Sequence, residues 1–250
     1  MRHLIIAILL IVSAPLWAED KPKDLLNQLT GGSRTESSSS AGTGASISET
    51  DASAGIKESL AQGVSASIKR LGTTDGFLKD QVVRIAVPKS MRTLADTASK
   101  LGAGKYVDEF ETSMNRAAEK AVPAAADIFA DAIRQMTVKD ALSIVRGEPD
   151  AGTQYFRRVT EDKLRDSFLP IVSKATGETG VTKSYKKLSK KGGGLGGLMG
   201  GSDSMDLDGY VTDKAMDGLF YYIAEQEKSI RKNPMATGSA LLGRVFGKGK

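Results

Sequence analysis

The chain has no cysteine, and its single histidine, His3, lies within the first 18 residues. Beyond that leader neither residue type occurs. Their absence removes the usual general base near neutral pH, thiol nucleophiles and the nitrogen and sulfur ligands of zinc. A Ser-His-Asp triad cannot be assembled. An enzyme would be left with paired carboxylates, a Ser-Lys dyad, or a magnesium or calcium site built from oxygens. Anchoring through a lipid-modified N-terminal cysteine is closed, and so are disulfides, which export normally permits.

A membrane-spanning apolar run is lacking too. Leu4–Val12 is too short for the roughly 20 residues a spanning helix needs, and Glu19, Asp20 and Lys21 end it. What stands there is a basic start at Arg2 and His3, this apolar stretch, and then Ser13-Ala14-Pro15-Leu16-Trp17-Ala18. That is the layout of a secretory signal peptide cut after Ala18. The expected location is therefore the periplasm, as a soluble protein. Charge of one sign is not dominant either. The formal net charge of +5, one unit of which is Arg2, comes from 35 bases against 30 acids. Such a mixed surface in an exported protein gives no reason to expect nucleic acid.

Three divisions follow: a signal peptide (1–18), a short leucine segment with a Ser/Gly-rich flexible linker (19–47), and a helical domain (48–250). In the middle part Leu25, Leu26 and Leu29 could form one helical turn, and Thr30–Ser46 has nothing to bury. From Ser48 onward helical periodicity dominates. Ile56, Leu60, Val64, Ile68 and Leu71 repeat at three- and four-residue steps until Gly72, and Asp75-Gly76 turns the chain. Phe77, Leu78, Val82, Val83 and Ile85 read as a further helix with an extended end at Pro88. Met91, Leu94, Ala98 and Leu101 mark the next stripe. Tyr106, Phe110, Met114, Ala117 and Ala121 follow, then a helix opened by Pro123, and one capped by Thr137 and Asp140. A segment through Tyr155 and Phe168 contains Pro170, a long helix covers Val211–Ile230, and Pro234 opens the last. The fold class is all-α: an irregular multi-helix bundle.

Four stretches, DGFLKDQVVRIAVP (75–88), DEFETSMNRAAEKAVP (108–123), TQYFRRVT (153–160) and DGYVTDKAMDGLFYYIAEQEKSIRKNP (208–234), carry a resemblance. In order and over most of the chain from Ile56 to Phe246, they resemble the bacterial family catalogued as domain of unknown function 4197. The resemblance implies an exported protein of a Gram-negative-type bacterium with a helical fold. It brings no activity, substrate or catalytic residue. The Ser-rich linker departs from the family's pattern.

Candidate functional residues are polar groups beside broad apolar stripes. On the helix from Lys105, Asn115 and Arg116 flank the buried stripe and become partner-seeking if a neighbour covers them. Arg157 and Arg158 follow two aromatics and suit a carboxylate or phosphate. Asp213 and Asp217 lie one turn apart, a repulsive spacing unless a cation intervenes. They read as a solvated strip, as a clasp onto an arginine such as Arg157 or Arg158, or as a metal or catalytic pair. The run Gly192–Gly201 lacks the strand and the GK[ST] of a phosphate loop and reads as a mobile flap. Lys183–Lys191 is a basic face suited to weak contact with an anionic membrane surface.

The expectation is a non-catalytic periplasmic protein binding an apolar or lipid-like ligand or an envelope partner, with no cofactor and no metal. The alternatives are a carboxylate- or metal-dependent hydrolase using Asp213 and Asp217, and a purely structural envelope protein. Processing is directly measurable. The intact mass of the exported protein should correspond to a chain beginning at Glu19, and a mass retaining residues 1–18 would show an anchor instead.

Overall fold

A computed structural model of the protein describes residues 48–179, 206–237 and 239–247, all within the larger of two compact units, Ser38–Lys250. The expected signal peptide (1–18), the leucine segment, Thr30–Ser46, Lys183–Lys191 and Gly192–Gly201 lie outside the described residues.

The first helix, α1 (Glu49–Leu71), starts where Ser48 accepts a hydrogen bond from the Asp51 amide at 3.0 Å. Its acidic first turn and basic last turn match the helix dipole. Ile56, Leu60, Val64 and Leu71 are buried, and so are the small residues Ser53, Ser59 and Ser67. Burial on several sides lets α1 pack against four later helices at once. After a long irregular connection and a 3-10 turn, α2 (Arg92–Ala98) runs into a π-helical turn, Ser99–Ala103. Gly102 takes φ 75° there, a conformation that costs glycine little. Leu101, assigned above to an apolar stripe, is 65% exposed on that turn, because the kink carries it off the buried face.

Next come α3 (Gly104–Ala121), a 3-10 turn at Pro123, α4 (Ala125–Gln135) and α5 (Val138–Arg146). The capping box on α5 is complete: Thr137 and Asp140 exchange side-chain and backbone hydrogen bonds. The long α6 (Ala151–Thr179) runs through Pro170, and α7 (Leu207–Lys232) leads through a 3-10 turn to α8 (Ala240–Phe246). Helices α1, α3, α6 and α7 surround the core. Phe129 of α4 packs edge-on against Phe156 of α6 and Phe220 of α7, with centroids 4.9 and 6.0 Å apart.

Helix α6 has no acidic residue in its own first turn. Glu227 of α7 serves instead, accepting from the Gly152 and Thr153 amides at 2.9 and 2.8 Å and from the Thr153 hydroxyl at 2.9 Å. Arg231 pairs with Glu227 at 2.8 Å and donates to the Ile144 carbonyl of α5 at 2.8 Å. One ion pair thus serves the donor end of α6 and the acceptor end of α5. Replacing Glu227 with Ala should lower stability by about 3–5 kcal/mol, since it strands two buried amides and an arginine. Urea denaturation measures this, and a loss below about 1 kcal/mol would contradict the role.

Candidate functional site

The chain between α1 and α2, residues 72–88, is where polar side chains converge. No α-helix forms over Phe77–Ile85, which corrects the helix read from the spacing of those apolar residues. Phe77, Ile85 and Val87 are buried, while Val82 is 61% exposed. The physical reason lies on α3. Glu111, Asn115 and Glu119 stand four residues apart along one face, a spacing that aligns side chains on a helix. Each takes up backbone groups of the connection. Glu119 accepts from the Phe77 and Leu78 amides at 3.0 and 3.2 Å. Asn115 accepts from the Ile85 amide and donates to its carbonyl, both at 2.9 Å. Glu111 accepts from the Val87 amide at 3.1 Å. Asn115 is fully buried and pairs with Ile85 much as a neighbouring strand would.

Arg116 is half-buried and bridges Asp75 at 2.5 Å and Glu119 at 2.6 Å. Lys79 also reaches Asp75 at 2.6 Å. The Lys79 and Arg116 hydrogen bonds hold the Asp75 carboxyl below its ordinary pKa. Phe77 enters the core against Gly218 of α7, where a Cβ would come within 2.7 Å of the ring. Asp80 accepts from Arg70 of α1 at 2.8 Å, from the Tyr222 hydroxyl of α7 at 2.5 Å, and from the Val82 and Val83 amides. The Arg70 guanidinium also sits over the Tyr222 ring, 4.3 Å from its centroid. Burial alone would push the Asp80 carboxyl up, but Arg70, Tyr222 and the two amides outweigh it and bring the pKa to about 2.

The remaining sequence candidates divide between two places. Asp213 pairs with Arg165, while Asp217 lies 3.7 Å from Arg157 and 3.2 Å from Lys214. Both aspartates are about half exposed, with side-chain exposures of 53% and 52%. They line an alternating-charge strip between α6 and α7, and Arg157 also covers the Phe220 ring at 4.4 Å. No group of three or more potential metal-ligating side chains occurs among the described residues. Arg158 sits apart from its neighbour. It borders a cavity of about 290 Å³ together with Asp140, Glu148, Gln154 and Tyr155. A second depression, of about 690 Å³, lies on the other flank of α5, between Val138, Leu142, Lys139 and Arg146 and the first turn of α1 at Glu49.

The polar column on α3, the loop it holds and the α7 residues that receive it fall within three of the four stretches quoted above. A family model described as Protein of unknown function (DUF4197) matches residues 46–247. The chain belongs to this family. No curated protein and no solved structure matches it.

For this family member, sequence reasoning singled out Asn115 and Arg116 but not Glu119, Asp80 or Glu227, which are buried in the described structure. The four-residue spacing of Glu111, Asn115 and Glu119 was the available signal. Lys139 and Arg146 were missed because lone surface cations on a short helix carry no pattern.

The Asp80 cluster has a pH signature. A carboxyl whose folded pKa lies below its ordinary 3.8 contributes stability that is fully present above about pH 4 and lost as pH falls toward 2. Asp80→Asn should therefore flatten the acid limb of stability by about 2 kcal/mol relative to wild type. Parallel urea melts from pH 5 to pH 2 test it, and superimposable acid limbs would refute the assignment.

Proposed function

We propose that this protein is an exported, non-catalytic helical protein that binds an apolar, lipid-like ligand or envelope partner at the surface around α5. The observation supporting this reading is how its polar groups are spent. Asp80, Asn115, Glu119 and Glu227 each use their oxygens on backbone amides, arginines or Tyr222. Asp213 and Asp217 are each matched to arginine or lysine on the outer strip. None of these carboxylates lines either depression beside α5. A catalytic carboxylate needs an open face toward its substrate and a tuned pKa, and Asp80, whose carboxyl is strongly lowered, is tied into packing.

The two depressions have a different character. Apolar surface lies beside a small number of charged groups, the composition of a small-molecule site. The missing histidine and cysteine point the same way.

Native mass spectrometry of protein recovered from its own cell envelope, without detergent, tests the reading. The expected result is a fraction carrying a co-purified amphiphile or a companion protein. Bare polypeptide throughout would overturn it.

A further inference from the structure

The larger depression beside α5 is defined by how that short helix divides its faces. Ala141 and Ile144 are buried beneath it, where α5 packs on α1. On a helical wheel Val138, Lys139, Leu142 and Arg146 share the opposite arc, about 100° wide. Val138 is 43% exposed, and Leu142 is half-buried. Lys139 and Arg146 are both exposed, and neither forms an ion pair with a described residue. Asp140, beside Lys139, is engaged by Thr137 in the capping box, on the side of the smaller cavity. An apolar pair with two exposed cations along one edge of it, over a space of about 690 Å³, matches a ligand with one anionic end and one greasy end.

We infer that this depression binds a single-chain alkyl carboxylate, with the carboxylate between Lys139 and Arg146 and the chain laid over Val138 and Leu142. The inference rests on the reading of the protein as a binder and names the ligand class for it. Charge complementarity selects this occupant. A cationic amphiphile would meet two like charges, and a wholly apolar one would gain nothing from either cation. Glu49, at the edge of the same space, opposes the bound carboxylate and limits affinity.

Isothermal titration of the full exported chain with dodecanoate, below its micelle concentration, tests the site. Dodecyltrimethylammonium, with the same tail and the opposite head charge, and inorganic phosphate, an anion without a tail, serve as controls. Dodecanoate should bind, while either control binds at least about tenfold more weakly. The double variant Lys139→Ala, Arg146→Ala should weaken dodecanoate by about tenfold or more, since two charge-assisted contacts are lost. Glu49→Gln should tighten it by roughly twofold to fivefold. These exposed substitutions leave the melting temperature near wild type, which checks folding independently. Equal binding of the ammonium amphiphile, phosphate binding as tight as dodecanoate, or dodecanoate affinity unchanged in the double variant each overturns the site. If protein from the envelope carries a companion yet dodecanoate fails to bind, this inference falls and the binder reading stands. If neither is seen, both fall.

Discussion

A peptide group taken out of water must find a hydrogen-bond partner, and residues 72–88 have neither a helix nor a neighbouring strand to supply one. The side chains of α3 do so, in a column four residues apart that takes up the amides of Phe77, Leu78, Ile85 and Val87. With its backbone held, the connection can bury Phe77 against Gly218 and set Asp80 between Arg70 and Tyr222. Helices α1, α3 and α7 are each tied to this one segment, and α1 and α3 also pack directly on α7. The cluster of ionisable groups there is the consequence of satisfying a buried, irregular backbone. It needs no ligand to account for it.

The same device recurs at the start of α6. Glu227 accepts from Thr153, 74 residues earlier in the chain, and Glu119 accepts from Phe77, 42 residues earlier. These carboxylates fasten distant parts of a chain that has no cysteine with which to close long loops. Unlike a disulfide, such a clasp acts in the folded state rather than by restricting the unfolded one. Its strength comes from geometry: several short bonds converge on one anion, with an arginine balancing the charge.

Against that background α5 stands out for what it leaves unused. It is short, strongly capped, buried on one side only, and bordered by depressions on both flanks. Val138 and Leu142 leave apolar surface there, beside Lys139 and Arg146, which are both exposed. Along the strip between α6 and α7, by contrast, Arg157, Arg165, Asp213 and Asp217 are matched to opposite charges.

The helices and most of their limits were legible in the sequence. Apolar spacing and end signals such as Ser48, Gly72 and Thr137 are local properties, and a helix satisfies its backbone within itself. Asn115 could be picked out because it borders an apolar stripe, but its partner could not, since Ile85 is 30 residues away. The helix read over Phe77–Ile85 was wrong for the same reason. Its apolar residues keep a helical rhythm, yet α3 offers that backbone better partners than it would find in a helix of its own. So the sequence by itself determined the all-α class, most helix ends, and the lack of cysteine and of any histidine beyond His3. Only the tertiary structure decided which polar residues hold the fold and which stay exposed at the surface. That division depends on what packs against each side chain, and no local pattern encodes it.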